Sequence, residues 1–257
     1  MRLNLAALLL SVSLLSACAT TGKERVRPQP APAWSSADGR LEARLDMAET
    51  MLRAGQPERA VAVLSTARQE ESGSYELDLL QARAFQALGM TNEAVEMLEP
   101  HRVKRRRDAA LLQLLGLLYF DLDKLEHAEA ALERAAELDP EDAENANNLG
   151  FLLLVMERPT DAVTWLRTAV SLDPAQQRYR GNLGFALAAD GQSEQALQVF
   201  RSAGPEALAL ARLGVAHERA EQNELAVARY TQALQIDPQQ AVARAGLGRI
   251  APSTQQE

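Results

Sequence analysis

One period governs this chain. A Leu-Gly pair stands at Leu115-Gly116, Leu149-Gly150 and Leu183-Gly184, 34 residues apart each time, and again at Leu213-Gly214 after 30. Twelve residues beyond each glycine comes an alanine (Ala128, Ala162, Ala196, Ala226), and seven beyond that another (Ala135, Ala169, Ala203, Ala233). Three units close on Leu138-Asp139-Pro140, Leu172-Asp173-Pro174 and Ile236-Asp237-Pro238. Self-similar units of this length cannot each bury an apolar face alone and must stack on one another. The small residues let two helix backbones approach closely, and large ones such as Phe200 and Tyr230 fill the groove between hairpins. The Asp-Pro step ends the second helix, because a residue before proline avoids the helical region. Composition agrees: aromatics make up 4% of the 257 residues, while alanine and leucine dominate, which favours close helix–helix packing.

This pattern resembles the tetratricopeptide repeat, a 34-residue antiparallel helix pair. The resemblance tiles residues 41–74, 75–108, 109–142, 143–176, 177–206 and 207–240. A further first-helix stretch from Ala241, carrying Leu247-Gly248, caps the stack. The first two units are degenerate: Ala48, Ala60 and Ala67 hold the small positions of one, and Ala82 and Ala94 those of the next, where His101 replaces the last alanine. The fifth tile has 30 residues and no Asp-Pro, so its second helix must end near Gly204-Pro205. The expected fold is all-α: a right-handed α-solenoid of about six hairpins plus a C-terminal capping helix over 41–250, followed by a disordered tail, 251–257.

The concave groove is the expected binding surface. By the resemblance it is lined in units three to five by Gln113, Leu117, Phe120, Asn147, Asn148, Phe151, Leu154, Arg178, Asn182 and Phe185. Asparagine amides there suit an extended peptide backbone, and the apolar residues suit its side chains. Some members of the family grip a terminal carboxylate with Lys, Asn and Arg. Asn148 and Arg178 fit that clamp, but Gln113 and Leu117 stand where Lys and Asn are needed, so the groove suits an apolar helix or internal segment instead.

No chemistry is legible. His101, His127 and His217 fall at unrelated positions, without a His-Glu-x-x-His pair or a cysteine pair, and packing roles account for them. The glycines are explained by helix packing, with no phosphate loop or nucleophile elbow among them. The reading is a binding protein that is not an enzyme and holds no metal or cofactor. The net charge of -8 argues against nucleic-acid binding. One run goes against that charge: Arg102, Lys104, Arg105, Arg106 and Arg107, where the second unit meets the third. Cations near a helix C-terminus gain about 0.3–1 kcal/mol each. Five exceed what a helix end needs, so the patch is a candidate contact for an acidic partner or anionic lipid head groups.

Residues 1–17, MRLNLAALLLSVSLLSA, read as a secretory leader: Arg2 supplies the positive start, and the apolar stretch is shorter than the roughly 20 residues a bilayer span needs. Leu15-Ser16-Ala17-Cys18 resembles a bacterial lipobox. That resemblance implies a covalent acyl (palmitate-type) lipid on Cys18, which becomes the new N-terminus. Each buried CH₂ of such chains adds about 0.8 kcal/mol of anchoring. Ala19 follows, rather than Asp, which implies an outer-membrane anchor facing the periplasm. Residues 18–40 then form the lipidated N-terminus and tether, where Pro28, Pro30 and Pro32 favour an extended spacer.

Leader, lipobox and six units together resemble the assembly lipoproteins of tight-adherence pili, chiefly in the stretch from Phe200 to Gly214, and next the pilotins of type IV pili. Both imply a protein partner that is a secretin or pilus assembly component. An adaptor that tethers peptidoglycan enzymes is the alternative.

Overall fold

The computed structural model describes residues 37–70 and 73–250. The described residues form helices and turns, with no strand. Six helix pairs follow in order: α1 (Ala37–Arg53) with α2 (Pro57–Glu70), α3 (Tyr75–Ala87) with α4 (Thr91–Lys104), and α5 (Ala109–Asp121) with α6 (Leu125–Leu138). Next come α7 (Ala143–Val155) with α8 (Pro159–Leu172), α9 (Gln177–Ala189) with α10 (Ser193–Ser202), and α11 (Glu206–Arg219) with α12 (Asn223–Ile236). A last helix, α13 (Ala241–Ile250), lies against α11 and α12. The pairs coincide with the six tiles, and α13 is the expected cap. α1 begins at Ala37, however, ahead of the boundary at 41, so the end of the stretch read as tether is helical. Asp38 in its first turn favours a helix start there through the helix dipole.

The spaced small residues do the packing expected of them. Every alanine named above in units one to four and six is at most 1% exposed, and Ala203 of the shortened unit is 9% exposed. The glycines bring the helices of each pair together: a Cβ at Gly116 would lie 2.6 Å from Leu132 Cγ, and one at Gly150 2.6 Å from Leu166 Cγ. Phe200 and Tyr230, both fully buried, occupy the same place against Gly184 and Gly214.

Within the pairs, the turns show a regularity that the sequence motif does not contain. Gly55, Gly89, Asp123, Glu157, Gly191 and Glu221 all adopt positive φ, between 57° and 79°. They follow the repeat spacing, one per turn, so half of these left-handed positions carry a residue with a Cβ. Between the pairs, Asp139, Asp173 and Asp237 sit at φ near -133° with ψ of 80° to 98°, the extended conformation a following proline demands. Asp108 and Asp142 cap the next first helices by accepting from Leu111 N (3.0 Å) and Glu144 N (2.7 Å). Where the Asp-Pro step is missing, α10 stops at Ser202, about a turn short of its counterparts. A bidentate Arg201–Glu206 pair (2.7 and 2.6 Å) spans the Gly204-Pro205 loop.

The backbones of successive first helices lie close along the whole array, whereas second helices reach one another through long side chains, as in the Arg167–Gln195 bond (2.9 Å) between α8 and α10. A stack in contact on one layer and splayed on the other must curve, which puts the first helices on the inner, concave side. The apolar core runs unbroken from Tyr75 to Ala243. A second cluster, around Leu64, Leu77 and Leu80, belongs to the first pair and one side of α3. A polar knot bridges the first two units. Arg68 donates to Asp78 (2.6 Å) and Gln81 (3.0 Å), and His101, in place of the missing alanine, meets Asp78 at 2.8 Å. A bulky residue fits there because its ring leans on Tyr75, at 5.1 Å between centroids.

Candidate functional site

The inner face formed by α5, α7, α9 and α11 sorts the ten groove residues by their place along the helices. Gln113, Asn147, Asn148, Arg178 and Asn182 lie in the N-terminal halves of their helices. Leu117, Phe120, Phe151, Leu154 and Phe185 follow them toward the C-terminal ends. The parallel first helices therefore build two strips, one of amides and one of apolar side chains.

The amides form an incomplete chain. Asn182 Nδ2 donates to Asn147 Oδ1 at 2.8 Å, and Asn147 Nδ2 donates to Asn148 Oδ1 at 3.3 Å. The chain ends on Asn148, whose Nδ2 is buried with no acceptor among the described residues, and Gln113 Nε2 is in the same state. A buried donor without a partner costs about 1–3 kcal/mol, so two of them on one inner face are a standing demand for carbonyl oxygens. Arg178 is exposed and ion-paired to Glu144 at 3.2 Å. That pairing draws its guanidinium to a neighbouring acid and leaves it poorly placed as a carboxylate clamp.

The apolar strip is more open. Phe120 and Phe151 meet edge to face at 5.9 Å, and Phe151 is 39% exposed. Phe151, Leu154 and Phe185 line a cleft of about 490 Å³ together with Val155, Ala189 and Arg219. Arg219 lies 5.0 Å over the Phe185 ring. Leu117 is half-buried beside this strip. Val155, Ala189 and Arg219 were missed by the sequence reading, although each falls five residues after the repeat glycine of its unit. Their shared register was the available signal. A side chain entering this cleft belongs to a segment laid along the inner face, the mode in which grooves take extended or helical segments.

The members of the basic run have different partners. Arg102 pairs with Glu99 (2.9 Å), and Arg105 covers the Tyr75 ring at 3.7 Å. Arg106 Nε donates to the Val103 carbonyl at 3.2 Å. Lys104 and Arg107 are exposed, with no carboxylate in ion-pair range among the described residues. Tyr75 donates to Asp108 at 2.8 Å, and burial, reinforced by that carboxylate, pushes its hydroxyl pKa upward.

The histidines are apart from one another. His101 is in the knot with Asp78, His127 lies against Tyr119, and His217, 4% exposed, meets Gln222 at 2.7 Å. Among the described residues no group of three or more His, Cys, Asp and Glu could hold a metal ion, and no helix is long and apolar enough to cross a membrane. Cys18 and the expected leader and tether before Ala37 lie outside the described residues, as does the tail from 251.

Comparison with known proteins agrees with this architecture. Patterns of the tetratricopeptide repeat match residues 52–118, 109–142, 147–207 and 209–242. The structure is similar to that of pilF from Pseudomonas aeruginosa, at 20% identity and a TM-score of 0.63, over 83% of this chain and 99% of that one. It is also similar to YrrB, described as a TPR protein with an unusual peptide-binding site, at 21% identity and a TM-score of 0.56, over 72% and 97% of the two chains. MamA matches at 22% identity and a TM-score of 0.52, over 61% and 91%. No curated protein matches the sequence itself. With four repeat patterns following one another across the helices seen here, the chain belongs to the tetratricopeptide-repeat family of protein-interaction scaffolds.

Proposed function

We propose that this protein is a membrane-anchored periplasmic scaffold whose concave groove holds a segment of a secretin or pilus assembly component while that machine is assembled or localised. The observation that carries the binding reading is the pairing of unsatisfied amide donors, Gln113 Nε2 and Asn148 Nδ2, with the open apolar cleft at Phe151, Leu154 and Phe185. A bound segment supplies carbonyls to the first and a side chain to the second. The anchoring half rests on the leader and on Leu15-Ser16-Ala17-Cys18, with Cys18 as the acylated residue and the outer membrane as its location. The pilus half is supported by two likenesses: the layout shared with the lipoproteins of tight-adherence and type IV pili, and the fold shared with pilF from Pseudomonas aeruginosa. The reading assigns no catalytic step to the chain.

The test is a deletion strain of the source organism, complemented with the wild-type chain, with the Phe151→Ser/Phe185→Ser double variant, or with Cys18→Ser. Secretin multimers and surface pili are scored in each. The wild type restores both, the groove variant is folded but restores neither, and Cys18→Ser is folded but lost from the outer membrane. Unchanged multimers and pili in the deletion strain would overturn the assembly role.

A further inference from the structure

We infer that the array has a second binding surface, away from the groove, which takes an acidic peptide segment of a partner protein with an apolar residue at its centre. α4, α5 and α6 enclose a cleft of about 620 Å³. Its floor is apolar: Leu112 and Tyr119 of α5, 6% and 7% exposed, lie at the bottom with Ala131 of α6 beside them. Its rim is cationic, with Arg102 and Arg106 at the end of α4 facing Lys124 and Arg134 at α6. The sequence run therefore supplies only one bank of the site. The other comes from residues 18 to 32 positions further on, brought opposite by the stacking of the second unit on the third.

The cations are unevenly satisfied. Glu99, the one acid in the lining, already accepts from Arg102 (2.9 Å) and from the Tyr119 hydroxyl. Arg134 is held by Glu137 at 2.6 Å. Arg106 and Lys124 meet no carboxylate in ion-pair range among the described residues, and Lys104 and Arg107 extend the same charge along the adjoining loop, lined from Val103 to Ala109. In a chain of net charge -8, the cations of this rim that have no carboxylate in ion-pair range, Arg106 and Lys124, repel their neighbours unless an anion joins them. The shape selects the kind of anion. A bilayer surface would meet the exposed rim but could not reach Leu112 and Tyr119. Inorganic phosphate would gain nothing from an apolar floor. A side chain entering the cleft, with carboxylates on either side of it, uses both features.

This surface is distinct from the groove. Leu112 and Tyr119 are roughly a third of a turn around α5 from Gln113, Leu117 and Phe120, and α4 and α6 belong to the outer layer. The chain can therefore hold two partners at once, which is what bridging requires.

The test measures fluorescence anisotropy of a short dye-labelled peptide carrying Glu-Glu-Phe-Glu-Glu against the full chain at low and high salt. Controls are the same peptide with Ser for Phe and with Lys for Glu. Arg106→Glu/Lys124→Glu, with helix content checked by circular dichroism, is expected to weaken binding roughly tenfold or more. Phe151→Ser, in the groove, leaves it unchanged. Binding that falls with salt and needs both Phe and Glu supports the site. Equal binding by the Lys peptide, or indifference to Arg106→Glu/Lys124→Glu, overturns it. So does a result in which that double variant loses only its binding to phosphatidylglycerol vesicles, since the cations then serve a lipid surface.

Discussion

Single residues in this protein carry two kinds of information, and only one follows the repeat. Gly150 is an example of the first kind. A methyl group there would meet Leu166 Cγ at 2.6 Å and the Ala162 carbonyl at 3.2 Å, so neither the facing side chain nor the facing backbone has room to yield. Alanine favours a helix over glycine by about 1 kcal/mol, whereas overpacking a core costs about 1–3 kcal/mol. Gly150→Ala is therefore expected to destabilise by about 1 kcal/mol net, read by urea unfolding, although alanine is the better helix former. A more stable variant would mean that the two helices of the pair separate freely. Asn148 and His101 are of the second kind. Asn148 ends an amide chain that crosses from one unit to the next, and His101 closes a knot with Asp78 and Arg68. Their residue types were visible in the sequence. Their partners were not, because a contact between units depends on the rotation from one hairpin to the next, which the motif does not encode.

At the scale of elements, the helices were legible almost to their ends. Spacing of small residues, the Asp-Pro steps and the lost step at Gly204-Pro205 are local signals that act within one or two turns. The left-handed turn position escaped notice because three of its six occupants are Asp123, Glu157 and Glu221 rather than glycine. An L-residue held there is strained by about 1–2 kcal/mol, which glycine relieves at a smaller entropic cost. Glu157→Gly and Glu221→Gly are each expected to raise stability by up to about 1 kcal/mol, detected as a higher urea midpoint. Gly89→Ala, at the equivalent position, should lower it. Opposite signs at equivalent turns separate backbone strain from any loss of side-chain contacts. The shortened α10 belongs to this scale as well. α9 and α11 meet along more of their length than α7 and α9 do, on the inner layer where the apolar cleft lies.

The whole molecule is a one-dimensional stack, so its ends decide how it begins to open. At the C-terminal end, Arg249 of α13 grips Glu218 of α11 with two bonds (2.7 and 2.9 Å), and the Tyr230 hydroxyl donates to the same carboxylate at 2.5 Å. The Arg249 bond holds the Glu218 carboxyl below the ordinary glutamate value of 4.5, aided by Tyr230. A carboxylate with a lowered folded pKa contributes stability that is present above its unfolded pKa and is lost as pH falls through the folded one. As pH falls below the ordinary glutamate value of 4.5, α13 is therefore expected to fray ahead of α7 and α8, seen as faster amide exchange confined to 241–250. Glu218→Gln should exchange faster there at neutral pH and show less change with acid. Equal protection of α13 in both proteins at every pH would remove Glu218 as the latch.

By itself, the sequence determined that this chain is a stack of six helix pairs with a cap and that its first helices offer amides and aromatics in register. Those properties follow from spacings shorter than one hairpin. Tertiary structure alone decided which of the groove amides satisfy one another and which, at Gln113 and Asn148, are left with a free donor. It also decided that Arg102 and Arg106 face Lys124 and Arg134 across an apolar floor. Both outcomes depend on how far each unit is turned and shifted on its neighbour. That displacement is a sum over many side-chain contacts between units, so no short stretch of sequence records it.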